Sequence, residues 1–207
     1  MHLLVTDRLA CPRCGPAFGL VLVADELEER RVLRGFLGCS NCRDRYPVEG
    51  GFGDLRPAPR GSLPAEALDH RSDPEAALKV AALLGIRDGP GLLFLTGSSV
   101  RHADILAGLV EGIEVVAAHH GLRDSPESSG VSRVACGGRL PFFNGSLRGA
   151  VLEGVPGRDA LGEGIRILAS GARLVLLDPP GDALEQMEAG GIELLMESDS
   201  VLVGARK

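Results

Sequence analysis

Tryptophan is absent from this 207-residue chain and tyrosine occurs once, so aromatic residues make up only 3%. Proteins that hold single-stranded nucleic acid stack bases on aromatic rings, and this chain has too few rings to do so. A basic stripe is missing too: the formal charge is −6, and no stretch gathers lysines or arginines. Broad attraction to phosphate backbones is therefore disfavoured. No apolar run approaches the ~18 to 20 residues that a membrane-spanning helix requires. The early apolar stretches Leu3-Leu4-Val5 and Phe18-Gly-Leu-Val-Leu-Val23 are interrupted by Asp7, Arg8 and two cysteines, unlike a secretory leader. The expected setting is the reducing cytoplasm. What the chain does have is 44% apolar residues, enough for one mid-sized domain and a small one. Its charge is uneven: residues 1–60 carry 9 basic and 8 acidic groups, residues 61–207 carry 13 and 20.

Four of the five cysteines form two pairs, Cys11-Pro-Arg-Cys14 and Cys39-Ser-Asn-Cys42, on either side of residues 15–38. A Cys-x-x-Cys turn lets two thiolates reach one ion, and two such turns supply the four soft donors of a tetrahedral Zn²⁺ site. Between them, residues 19–24 and 32–38 read as the strands of a hairpin with a charged tip over 25–31. A hairpin whose ends each carry a knuckle is a zinc ribbon. Two disulfides or four unrelated core cysteines are the competing readings, and a reducing compartment argues against the first. A redox pair would open a helix within a βαβ unit, which neither pair does. With Cys11, Cys14, Cys39 and Cys42 all as ligands no position is left for water, so the zinc is expected to be structural rather than catalytic. Loss of any one ligand is expected to unfold residues 1–55 and to spare the rest.

The segments Leu9-Ala-Cys-Pro-Arg-Cys-Gly15, Leu37-Gly-Cys-Ser-Asn-Cys42 and Tyr46-Pro-Val-Glu-Gly-Gly51 together resemble the small zinc-binding proteins that activate tRNA, rRNA and protein methyltransferases. The resemblance implies a zinc ribbon over about residues 1–56. Past Tyr46-Pro47 the chain reads Glu49-Gly-Gly-Phe-Gly-Asp-Leu55, where that family continues Asp-Gly-Ile-Pro.

Residues 57–72 are rich in proline and read as a linker. A helix is expected from Ser72-Asp-Pro-Glu75, capped by Asp73 or Ser72 with Pro74 in its first turn, and ending at Gly85. Over residues 73–207 short apolar runs at 91–96, 113–118, 131–135, 149–152 and 172–177 alternate with helix-like stretches, notably 99–110 and 158–170. Continuous apolar runs interleaved with helices indicate an α/β architecture whose parallel sheet is covered on both faces. Residues 192–197 and 200–206 are separated by too little chain for a crossover, so they should close as an antiparallel hairpin.

This Rossmann-like pattern, with the phrases Leu140-Pro-Phe-Phe-Asn-Gly-Ser-Leu147 and Leu168-Ala-Ser-Gly-Ala-Arg-Leu-Val-Leu-Leu177, resembles the class I methyltransferases that use S-adenosylmethionine (SAM). That family places an acid and a Gly-x-Gly-x-Gly turn after its first strand; this chain has Phe94-Leu-Thr-Gly-Ser-Ser-Val-Arg101. An Asp or Glu after the second strand accepts both ribose hydroxyls, whereas here stands Ala118-His119-His120-Gly121, and neutral imidazole has one acceptor nitrogen. Asn144 and Arg148 occupy the segment before the fourth strand where the family has acids. Asp178-Pro-Pro-Gly181 reads as a turn, His119-His120 as a strand end, and Cys136 as a half-buried thiol. Two functions remain: a non-catalytic scaffold that binds a protein partner, which the altered motifs and acidic second half favour, and an active methyltransferase with a divergent pocket.

Overall fold

A computed structural model describes residues 1–64, 68, 71–153 and 159–207. A four-residue helix α1 (Leu3–Thr6) leads into β1 (Ala10–Cys11), β2 (Gly15–Glu28), β3 (Arg31–Cys39), β4 (Arg45–Glu49) and β5 (Phe52–Asp54). The strands form an antiparallel meander. The charged tip expected over 25–31 is mostly strand. Asp25, Glu26 and Glu28 continue β2, and the reversal takes only Glu29 and Arg30, both at positive φ (43° and 67°). Such a two-residue turn follows the twist of its strands, and the acidic side chains stay in water, so their charge does not oppose the ladder.

Asp73 caps α2 (Pro74–Leu84), its carboxylate accepting from the Glu75 N–H at 3.0 Å, and Gly85 ends the helix at φ 65°. Ser72, the other candidate cap, instead bonds His102 Nδ1 at 3.1 Å. The chain continues with β6 (Gly91–Thr96), a 3₁₀ turn (Gly97–His102), α3 (Ala103–Leu109), β7 (Ile113–Ala118), a second 3₁₀ turn (His120–Leu122), β8 (Val131–Ala135) and β9 (Leu147–Leu152). It finishes with α4 (Ala160–Ile167), β10 (Leu168–Leu177), α5 (Ala183–Ala189), β11 (Ile192–Ser198) and β12 (Val201–Arg206). The helix expected over 99–110 therefore begins as 3₁₀. The one expected over 158–170 stops at Ile167, because Leu168 pairs with Leu147 and a bulge carries the chain through Gly171 to Arg173; Arg158 lies outside the described residues. Helix α5 was not expected. Asp178, at φ 48°, turns the chain towards it, as the turn reading requires.

Neighbouring strands follow the order β1-β2-β3-β4-β5-β8-β7-β6-β9-β10-β12-β11. Strands β5, β8, β7, β6, β9 and β10 are parallel, and β12 is antiparallel to both β10 and β11. The expected closing hairpin is thus present. A ribbon standing apart from the sheet is not: β5 pairs with β8 through Gly53↔Val134 and Asp54↔Ala135, giving one 12-stranded sheet. The segment read as a linker also begins tied down. Arg56 pairs with Asp54 at 2.8 Å and donates to the carbonyls of Arg60, Gly61 and Ser62, while residues 65–67 and 69–70 lie outside the described residues.

Residues of the central strands alternate between two cores. Leu92, Phe94, Val116, Val134, Ala150, Leu174 and Leu176 face one core, Leu93, Leu95, Val115, Ala117, Val151 and Val175 the other. That is why these strands read as unbroken apolar runs. Leu92, Leu93, Phe94 and Leu95 are at most 4% exposed, as are Leu174, Val175 and Leu176; Leu177 is half-buried. The second core is covered by Val80 and Leu84 of α2 and by Ala103 and Leu106 of α3. The first is covered by Ile165 and Met187 of α4 and α5, and by Val5, Leu9, Leu37, Tyr46 and Phe142. The connection from β8 to β9 contains no helix, so the amino-terminal segment supplies the cover a crossover helix would give. Leu9 bridges Phe142, and the Phe142 ring meets Phe94 edge-on at 5.3 Å. Among the described residues no helix is long and apolar enough to cross a membrane.

A partly buried ionic cluster joins the two halves. Glu127 accepts from Arg31 Nε at 2.9 Å and from Arg133, while Glu114 accepts from Ser132 Oγ at 2.6 Å and faces Arg31 at 3.4 Å. Burial opposes ionisation of Glu127, but hydrogen bonds from Arg133 and Arg31 outweigh it and hold the carboxyl below its usual 4.5. A depressed carboxyl stabilises the fold above its unfolded pKa and loses that contribution as pH falls through the folded value. Urea midpoints are therefore expected to fall below about pH 4.5 in the native chain, and to fall less in Glu127→Gln. Equal acid sensitivity of the two would remove this role from Glu127.

Candidate metal centre and cofactor crevice

Cys11 ends β1, Cys14 precedes β2, Cys39 ends β3 and Cys42 lies in the turn before β4, so pairing of β2 with β3 draws both knuckles together. Their four sulfurs lie within 4.8 Å of one another, and all four are free thiols. Cys11 Sγ stands 3.7 Å from Cys42 Sγ, and Cys39 Sγ 3.8 Å from Cys14 Sγ. Four sulfurs placed about 2.3 Å from a central Zn²⁺ stand about 3.8 Å apart, so the spacing is that of a tetrahedral thiolate site. The groups around the sulfurs suit thiolates. The Cys14 N–H points to Cys11 Sγ at 3.4 Å, Asn41 Nδ2 to Cys14 Sγ at 3.3 Å, and the Tyr46 hydroxyl lies 3.4 Å from Cys11 Sγ. Tyr46 is fully buried, and Arg60 lies 4.9 Å over its ring. The single tyrosine thus sits where it can orient a ligand, a role its place in the Tyr46-Pro47 motif did not reveal. Among the described residues this is the one cluster able to hold a metal ion. His119 and His120 do not form another; they stack at 4.8 Å in the turn after β7, where His119 Nδ1 accepts from the Gly121 N–H. Being in a turn rather than a strand, they lie side by side and do not point apart.

In a doubly wound sheet, ligands bind beyond the carboxyl ends of the strands where the order reverses. Here that point lies between β6 and β9, and it is filled from within. Glu153, directly after β9, accepts at Oε2 from the Ser98 N–H and the Ser98 hydroxyl, both at 2.8 Å. Thr96 donates its hydroxyl to the Glu153 carbonyl at 3.0 Å and accepts from the Glu153 N–H at 2.8 Å. Gly97 has φ +62°, and a Cβ there would stand 2.7 Å from Glu153 Cβ. The glycine therefore makes room for Glu153. Ser99 turns its hydroxyl back to the Thr96 carbonyl at 2.7 Å. The Ser98 N–H and the hydroxyls of Thr96, Ser98 and Ser99 are thus engaged within the protein and are not free to meet a cofactor.

Two residues placed in this crevice from sequence are elsewhere. Asn144 and Arg148 precede or open β9, so they stand at the amino ends of the parallel strands, opposite Ser98 and Glu153. Asn144 Oδ1 accepts from Arg166 at 3.0 Å, and Arg148 pairs with Asp88 at 2.9 Å. Their identities say nothing about SAM. Glu153 was missed; its only sequence signal is an acid directly after the fourth apolar run. Cys136 follows β8, its thiol pushed up to about 12 by burial and by Asp54. A separate cavity of about 1020 Å³ lies at the amino ends of β7 and β8, bordered by Glu28, Asp104, Glu114 and Gly130.

No protein-family model matches the chain, and no curated protein matches it. Solved structures do. A precorrin-6y C5,15-methyltransferase from Geobacter metallireducens GS-15 superposes with a TM-score of 0.53 at 16% identity, covering 69% of this chain and 94% of that one. A geranyl diphosphate methyltransferase in complex with SAM gives 0.49 at 16%, covering 61% and 68%. The fold assignment rests on the first: the described residues adopt a methyltransferase-like α/β fold, and identity this low speaks to fold alone.

Proposed function

We propose that this is a zinc-binding, methyltransferase-like protein that has kept the fold as a scaffold for a protein partner and does not transfer methyl groups. The carboxylate of Glu153 in the Ser98 loop is the observation that supports this reading most directly. A ligand entering there would have to displace a charge-assisted pair of hydrogen bonds before making its own, and would find His119 in place of a ribose-binding acid. One charge-assisted hydrogen bond contributes about 1.5–3 kcal/mol, so the missing acid alone weakens an ordinary micromolar affinity roughly ten- to a hundredfold.

Zn²⁺ held by Cys11, Cys14, Cys39 and Cys42 would act as a cross-link, since all four donors are thiolates. The ribbon, which resembles free-standing methyltransferase activators, would serve the sheet to which it is joined: β5 extends the sheet, and Leu9, Leu37 and Tyr46 complete its core. Within this reading, residues 1–56 form the ribbon, 57–72 the connection and 73–207 the α/β unit, in the cytoplasm.

Titration calorimetry with SAM on the purified chain tests the non-catalytic reading. Binding weaker than about 0.1 mM, or none, is expected. A saturable low-micromolar isotherm would overturn it in favour of an active methyltransferase, the activity that the name of the Geobacter metallireducens structure carries.

A further inference from the structure

We propose that Arg60, from the proline-rich segment after the ribbon, is a positioning residue of the metal centre, holding the two residues that steady one ligand of each knuckle. The proposal rests on reading the four cysteines as a zinc site.

Arg60 acts at one remove from the sulfurs, along two routes. The first runs to Cys39. Arg60 pairs with the Asp44 carboxylate at 2.9 Å and donates to the Arg45 carbonyl at 2.7 Å. Asp44 also accepts from the N–H groups of Ala58 and Arg45, at 3.2 and 2.9 Å, and its side chain is only 8% exposed. The Asp44 carbonyl in turn accepts from the Cys39 N–H at 3.0 Å, closing the turn that carries Cys42. The second route runs to Cys11. The Arg60 guanidinium lies 4.9 Å over the Tyr46 ring, and the Tyr46 hydroxyl stands 3.4 Å from Cys11 Sγ.

Four thiolates around one Zn²⁺ leave two negative charges, in a site where Cys11 and Cys39 are buried. Donors aimed at the sulfurs spread that charge. The Tyr46 hydroxyl is such a donor only while its ring stays in place, and a cation over the ring face draws on the π density and strengthens the donor. Arg60 lies there at a cost. Its Nε is buried with no hydrogen-bond partner, and an unmet buried donor is destabilising. The pair with Asp44, the Arg45 carbonyl and the ring offset that cost and keep the side chain over the knuckles. Lysine would not replace it, having neither a planar face for the ring nor a fixed fork for the carboxylate.

Competition of the full chain with a chromogenic chelator tests the assignment. Arg60→Gln should hold zinc about 10- to 100-fold less tightly than the native chain, the usual result of losing an outer partner of a metal ligand. Arg60→Lys should restore little of this. Arg139→Gln should not weaken binding; it removes an exposed arginine that stands against Gly15, beside the other knuckle. The zinc-loaded variants should keep the native helical signal. With Co²⁺ in place of zinc, Arg60→Gln should move the thiolate-to-cobalt absorption to longer wavelength, because the Cys11 sulfur is then less well hydrogen-bonded. In a Tyr46→Phe background, where that donor is gone, Arg60→Gln should leave the band where it is. Undiminished zinc affinity in Arg60→Gln, an unmoved band, or an equal loss in Arg139→Gln would overturn the proposal and leave the metal site standing. A native chain that takes up no zinc would overturn both.

Discussion

Replacing Cys39 by serine is expected to cost the protein its bound zinc and most of its stability. Zinc held by four thiolates contributes on the order of 10–16 kcal/mol to the folding of small metal-dependent units, against a net stability of about 5–15 kcal/mol for an ordinary domain. Losing one ligand and leaving Cys11, Cys14 and Cys42 around an empty centre, with the Cys11 and Cys42 sulfurs 3.7 Å apart, should therefore lower stability by roughly 5 kcal/mol or more. The structure also changes how far the damage should spread. From sequence, residues 1–55 were expected to unfold alone. Yet Cys11, Cys39, Leu9, Leu37 and Tyr46 belong to the same buried cluster as Phe94, Val116, Val134 and Leu147. One cooperative transition is expected, with the helical signal at 222 nm and zinc release, followed by a chromogenic chelator, changing together. Absence of tightly held zinc by elemental analysis, or a mutant as stable as the native chain, would refute the metal site. Zinc loss that leaves the helical transition in place would instead establish the ribbon as a separate folding unit.

Phe142→Ala is expected to destabilise the chain by about 3–5 kcal/mol, the usual result of emptying an aromatic site in a packed core. Phe142 is fully buried, meets Phe94 edge-on, and lies on a segment that two elements hold in place. On one side Leu9 bridges Phe142 and the Ala10 N–H donates to the Pro141 carbonyl. On the other, Arg166 donates to the carbonyls of Leu140 and Phe142 while paired with Glu163 at 2.8 Å. The cavity cannot collapse without pulling one of these apart. Urea denaturation is the measurement, with Phe18→Ala as a partner: at 38% exposure Phe18 should cost less than about 1 kcal/mol. A Phe142→Ala change below that level would mean the amino-terminal segment is not fastened to the sheet through this ring.

The residue types themselves determined the two knuckles, the largely apolar strands at 91–96, 113–118 and 131–135, the cap at Asp73 and the stop at Gly85. In each case the physics is local: a thiolate pair on a turn, a strand buried on both faces, a carboxylate before a proline-started helix. Boundaries failed where a long-range contact outweighed local preference. Leu168 left its helix to pair with Leu147, and acids at 25–28 stayed in a strand because one face of it meets water. The crevice was legible only in part. That no acid follows the second apolar run, where His119 stands, can be read from sequence, since it depends on one side chain at one strand end. Which residues stand beside it cannot, because strand direction sends Asn144 and Arg148 to the far end of the sheet and brings Glu153, 55 positions after Ser98, within 2.8 Å of it. The union of ribbon and sheet was hidden for the same reason: Gly53 and Val134 are ordinary residues apart, and only the fold lays their strands side by side.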